Sequence, residues 1–153
     1  VDRDEKFMLI ALEEAEKAAG INEVPVGACV VVDGKIISRA HNLRENIPDP
    51  TAHAEILVLR EAAKILGDWR LESATLYVTV EPCPMCAGAA LLARVKRVVY
   101  GCADEKAGAL GSVYDISSDP RLTHKFLVRS GVLADKSRAL LREFFARERN
   151  KIK

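Results

Sequence analysis

Two short segments carry the residue types able to do chemistry, His53-Ala54-Glu55 and Pro82-Cys83-Pro84-Met85-Cys86. Zinc favours imidazole nitrogen and thiolate sulfur in tetrahedral geometry. His53, Cys83 and Cys86 supply three such donors, and the sequence shows no evident fourth. A fourth position left to water makes a catalytic site rather than a structural one, because the metal lowers the pKa of that water from about 16 toward about 7. Glu55 stands beside a ligand rather than as one, which suits a general base for the released proton. Each feature also has a plainer reading. The His and two Cys suit a structural zinc site as well, and a lone Glu55 suits a solvated carboxylate drawn to a helix start by the dipole. The combination favours catalysis: His-x-Glu comes first, then Cys-x-x-Cys with a proline directly before it. Cys29, inside an apolar run, and Cys102, just after one, read as small core residues rather than ligands. Asn42, in a loop, suits a turn.

Donors this far apart in sequence need a scaffold that brings two helix starts together. Thr51 is placed to cap a helix from about Ala52 to Leu66, with Gly67 ending it. Pro82 and Pro84 suit the first turn of a second helix that runs to about Ala93. Residues two apart do not share a helix face. In a first turn, however, His53 and Glu55 can both reach a point beyond the helix end. Backbone N–H groups and the positive end of the dipole stabilise thiolates at such a place. A zinc held between two helix N-termini satisfies both segments.

The remaining elements follow from periodicity and turn residues. Phe7, Ile10, Ala11 and Ala18 recur at helical spacing over residues 4–18, before Gly20. Val24 to Val32 and Lys35 to Ala40 flank Asp33-Gly34, a hairpin signature. Ala74 to Val80 and Arg97 to Tyr100 read as strands joined by a helical crossover, hence parallel. A weak strand over Phe126 to Val128 precedes a last helix from Leu133 to about Asn150. Phe144 and Phe145 point about 100° apart on it, so one packs inward while the other is partly exposed. The segment from Ala87 to Val95 is apolar nearly all round, which predicts a buried helix or one at a subunit interface. The order predicts an α/β fold of three layers, with helices on both faces of one mixed sheet.

At 153 residues the chain has the length of one domain, and 49% apolar residues exclude disorder. Neither a signal pattern nor a membrane-length apolar run is visible, so the expectation is a cytoplasmic protein with reduced thiols. A formal net charge of +1 gives no global attraction to nucleic acid. A local one exists: residues 136–153 hold seven Lys or Arg against Glu143 and Glu148, seven minus two, or +5. With aromatic neighbours, this basic helix suits a folded RNA loop, though charged helix faces are usually only solvated.

The H-x-E…P-C-x-x-C pattern marks the zinc nucleobase deaminases. The sequence resembles their branch of bacterial tRNA-specific adenosine deaminases, within the cytidine/deoxycytidylate deaminase superfamily, along nearly its whole length. The resemblance is carried by Glu23-Val24-Pro25-Val26-Gly27-Ala28, His41-Asn42, Asp49 to Glu55, Ala74 to Thr79, Glu81-Pro82-Cys83, Met85 to Ala89, Gly108 to Ser112 and Gly131 to Ala134. It implies a five-stranded mixed sheet with helices on both faces, a single zinc-dependent domain over residues 1–153, and a homodimer with one zinc per subunit. It implies zinc on His53, Cys83 and Cys86, with Glu55 as proton shuttle. The reaction implied is hydrolytic deamination of the wobble adenosine to inosine, at adenine C6, in a tRNA anticodon stem-loop. Asn42 matches the residue that hydrogen-bonds the nucleoside, and the Ala54 and Cys83 N–H groups would lie near the reacting atom. Asp104 and Lys106 match an RNA-contacting loop, and Phe145 and Arg149 the C-terminal helix, where Glu148 departs from the basic character expected. The zinc motifs alone mark only the superfamily. A free-base deaminase acting on guanine or cytosine is therefore the alternative, and a non-catalytic zinc-stabilised RNA-binding module the reading from another class.

Overall fold

The computed structural model describes residues 2–152. Val1 and Lys153, the ends of the expected domain, lie outside the described residues, and Lys153 is one of the seven cations counted above.

A hairpin of β1 (Gly27–Val32) and β2 (Lys35–His41) turns at Asp33 and Gly34, whose φ values of 51° and 74° are the left-handed pair a tight hairpin turn requires. β3 (Ala74–Val80) lies antiparallel to β1 and parallel to β4 (Arg97–Cys102), and β5 (Leu127–Arg129) adds parallel to β4. The sheet order is β2-β1-β3-β4-β5. Four helices cover it: α1 (Arg3–Gly20), α2 (Ala54–Leu66), α3 (Pro84–Leu92) and α4 (Ala134–Ile152).

Strand alternation divides the core in two. Cys29, Val31, Tyr77 and Val99 meet Phe7, Met8 and Ala11 of α1, with Leu140 of α4 at the margin. Their neighbours Ala28, Val30, Leu76, Val78 and Val98 face the opposite way, onto Val58 and Ala62 of α2 and Ala87 and Ala90 of α3. This is the expected three-layer arrangement. The crossover from β3 through α3 to β4 places the start of α3 at the carboxyl ends of parallel strands, where open α/β sheets form their ligand crevices.

Several boundaries differ from expectation. β1 begins at Gly27 rather than Val24, because Pro25 has no N–H to give a partner strand and the Val24 carbonyl is taken by the Val26 N–H and the Asn42 side chain. α2 begins at Ala54, and Thr51 does not cap it; its hydroxyl donates instead to Asp49 Oδ1, 2.7 Å away. Leu133 sits at φ 53° ahead of α4 rather than in its first turn. β4 runs on to Cys102, and β5 starts one residue later than expected. Phe144 is buried and Phe145 exposed. α3 buries Ala87 and Ala90 but leaves Met85 and Leu92 on the surface, so it is not enclosed on all sides.

Candidate active site

His53 is the residue at the N-cap of α2, and Cys83 the residue at the N-cap of α3, with Pro84 in the first turn. Neither side chain caps its own helix, which leaves the imidazole and the thiol for another partner. For α2 the capping role passes to Asn42. Its Oδ1 accepts the Ala54 N–H at 2.9 Å, while its Nδ2 donates to the Val24 carbonyl at 3.2 Å. Asn42 thereby ties the start of α2 to the segment leading into β1.

Among the described residues, the donor atoms of His53, Cys83 and Cys86 lie within 4.8 Å of one another. His53 Nδ1 is 3.7 Å from Cys83 Sγ and 3.5 Å from Cys86 Sγ. Zinc bonds of about 2.3 Å to sulfur and about 2.0 Å to nitrogen, set at a tetrahedral angle, give a nitrogen–sulfur edge of about 3.5 Å. The donor set therefore fits zinc in both chemistry and spacing. Cys29 and Cys102 are buried in the protein and do not belong to the cluster.

The electrostatics make the same point. Glu55, in the first turn of α2, is 4% exposed, and burial pushes its carboxyl up to about 7. The hydrogen bond with Cys86, followed by that with His53, brings the Cys83 thiol down to about 4. The same Cys83 hydrogen bond raises the Cys86 thiol above its ordinary value. A separate hydrogen bond between Cys83 and His53 raises the imidazole. Two sulfurs and a carboxylate packed this closely cannot all be anionic by themselves, so a proton stays in the cluster. A divalent cation removes that restriction and permits both thiolates.

His53, Glu55 and Cys83 line one cleft of about 180 Å³, together with Asn42, Arg44 and Asp104. Val24, Val26, Val80 and Asp104 are shared with a neighbouring groove of about 650 Å³, which adds Lys106, Arg138 and Phe145. Asp104, Lys106 and Phe145 thus meet in one groove continuous with the cleft. Arg149 does not line it; it lies exposed on α4, four residues beyond Phe145. Glu148 is paired with Lys151 at 3.0 Å. Ala54 is fully buried, with its N–H engaged by Asn42.

Three residues at the cleft carried no role in the sequence reading. Arg44 and Glu81 line it directly. Glu23, 2% exposed, accepts the N–H groups of Glu45 and Asn46 and so holds the loop that bears Arg44. Glu81, 3% exposed, does the same for the loop that bears Asp104. The available signal was a glutamate directly before the Pro-Cys pair, with Gly108 and Ser112 following in the loop.

The fold and this cluster define a zinc-dependent deaminase, and residues 1–102 match the cytidine and deoxycytidylate deaminase zinc-binding region. The chain is 51% identical to a tRNA-specific adenosine deaminase of Bacillus subtilis, over 99% of this chain and 94% of that protein. A solved structure from studies of A-to-I editing by tRNA:A34 deaminases at the wobble position superposes with a TM-score of 0.86, at 46% identity, covering 89% of this chain and 99% of that one. Bacillus subtilis guanine deaminase is more distant, with a TM-score of 0.63 at 38% identity, covering 80% and 82% of the two chains. The chain belongs to the tRNA-specific adenosine deaminase family, a branch of the cytidine and deoxycytidylate deaminases.

Proposed function

We propose that this protein hydrolyses the wobble adenosine of a tRNA anticodon stem-loop to inosine, as a homodimer of single-domain subunits (residues 1–153) with one zinc each. The observation that carries the chemistry is the buried Glu55 in one cleft with a three-donor zinc cluster. The names of the relatives carry the substrate.

His53, Cys83 and Cys86 would hold the metal. When bound, zinc supplies the Lewis acidity that makes water nucleophilic near neutral pH. Glu55 moves the protons. Burial makes its carboxyl ready to accept one, and its place in the same cleft as the donors suits it to serve the attacking water. One proton ends on the purine ring nitrogen beside C6 and the other on the departing amino group, so Glu55 loads and unloads twice. The C6–O bond forms, the C6–N bond breaks, and ammonia leaves. Asn42 spends one amide N–H on Val24, leaving the second for the nucleoside. Ala54 serves the same contact by fixing Asn42 Oδ1.

Asp104, Lys106 and Phe145 offer flanking nucleotides a charged and aromatic groove beside the cleft, with Arg149 further along α4. An adenine in a loop is unpaired, so its extrusion into the cleft costs little unstacking energy. Met85 and Leu92 on α3 supply exposed apolar surface for the homodimer. No helix among the described residues is long and apolar enough to cross a membrane. A cytoplasmic site of action fits an RNA substrate and reduced thiols.

The test offers the zinc-loaded protein an anticodon stem-loop with adenosine at the wobble position and, separately, free adenosine, guanine and cytosine. The expected result is a mass increase of about 1 Da at a single nucleotide of the RNA, as exchange of an amino group for oxygen requires. Ammonia released from a free base, with the RNA unchanged, would overturn the RNA assignment in favour of a free-base deaminase.

A further inference from the structure

Glu81 is a buried carboxylate that, among the described residues, neither belongs to the donor cluster nor pairs with a cation. Among the described residues, all hydrogen bonds to its carboxylate come from one loop. Oε1 accepts the Asp104 N–H at 3.1 Å and the Ser112 hydroxyl. Oε2 accepts the N–H groups of Leu110 at 3.0 Å and Ser112 at 3.1 Å. Hydrogen bonds to an ionised acceptor are about twice as strong as neutral ones. Four of them close both ends of the 104–112 segment onto a single side chain.

The loop is built to admit that side chain. A Cβ placed on Gly108 would overlap the Glu81 carboxyl carbon, so only glycine lets the loop backbone come this near. The next residue extends the seam, with Ala109 N–H donating to the Pro82 carbonyl at 2.8 Å. Glu81 and Pro82 are also the two residues leading into Cys83. The strand end that delivers a metal donor thus anchors the loop that presents Asp104 to the cleft and Lys106 to the groove.

We propose that Glu81 is a positioning residue for substrate: it fixes the 104–112 loop as one wall of the cleft, at a set distance from the metal donors, so that RNA flanking the target base meets a preformed surface. Glu81 acts through the loop and takes no part in proton transfer. Its kinetic consequence rests on the RNA reading above; the anchoring of the loop does not.

Two variants release the loop from opposite sides. Glu81→Gln keeps the size but turns one oxygen into an N–H donor facing other donors. Gly108→Ala leaves the carboxylate intact and pushes the backbone away from it. In the zinc-loaded protein, amide hydrogen exchange at Asp104, Leu110 and Ser112 should accelerate by about 10- to 100-fold in either variant, the scale of lost charge-assisted hydrogen bonds, while β3 amides keep their wild-type rates. Zinc content should remain one per chain. With the stem-loop substrate, KM should rise by about 10-fold or more and kcat change by less than about 3-fold, the pattern of lost uniform binding. The double variant should be little worse than either single one, because both break the same contact. Wild-type exchange rates at the three amides in both variants would overturn the proposal. So would a fall in kcat accompanied by zinc loss at unchanged KM, which would place Glu81 in the support of the metal. If the wild-type protein leaves the stem-loop unmodified, the RNA reading fails and the exchange rates decide the anchor by themselves.

Discussion

In the proposed mechanism, Glu55 and the three donors divide the work at the scale of single residues. Two residues only two positions apart, His53 and Glu55, take different parts because their surroundings differ: the imidazole reaches the sulfurs, while the carboxyl is closed off from solvent. Burial raises its proton affinity toward neutrality, where a group that must both take and give a proton is most effective. Glu55→Gln should therefore lower kcat by about 100- to 10,000-fold, the range ascribed to general acid–base catalysis, with zinc content unchanged. Turnover at the wild-type rate in a zinc-replete Gln variant would remove Glu55 from the chemistry.

Elements set these residues in place, and here buried carboxylates recur as connectors. α1 is fastened near both ends. Asp4 accepts the Tyr77 hydroxyl at 2.7 Å and binds Arg97 and Arg129, joining the helix start to β3, β4 and β5. Glu14 accepts Arg39 Nε at 2.7 Å and pairs with His41 Nδ1 at 2.9 Å, joining the helix to β2 one residue before Asn42. Burial pushes the Glu14 carboxyl up, but hydrogen bonds from Lys17, His41 and Arg39 outweigh it and bring it down to about 2, against 4.5 for the free group. A folded value below the unfolded one gives stability that is fully present above pH 4.5 and lost as pH falls toward 2. Denaturant midpoints should fall across that window, and Glu14→Gln should flatten the fall; an unchanged slope would show that Glu14 does not contribute to it.

The same connectors mark the limit of what sequence discloses. Hairpin, crossover and both helix starts at the donors were legible, because turn residues, strand period and metal-ligand types act locally. The cap of α2 was not. Thr51 has the right chemistry and position for it, yet Asn42, twelve residues away, supplies the oxygen. Glu23 and Glu81 were equally hidden, because a single carboxylate has no periodicity and its partners lie 22 to 31 residues on. The grouping of Asp104, Lys106 and Phe145 in one groove, with Arg149 outside it, likewise needed the packing of α4 beside the loop.

For the whole molecule, charge is nearly balanced at +1, so attraction to RNA has to come from where the cations stand. Arg44 at the cleft, Lys106 and Arg138 in the groove and the basic end of α4 form such a set. Stem-loop affinity should fall steeply with added salt as phosphate contacts release counterions, and a flat response would count against this surface as the docking face. The metal is the other whole-molecule feature. Held by His53, Cys83 and Cys86, it would join the starts of α2 and α3 through donors 30 residues apart in sequence. X-ray absorption at the zinc edge of the loaded protein reads this arrangement directly. The expected spectrum has two sulfur neighbours at about 2.3 Å and two nitrogen or oxygen neighbours at about 2.0 Å. A third sulfur, contributed by Cys29 or Cys102, would mean a metal enclosed by protein with no position for water, and would contradict the deaminase mechanism at its root.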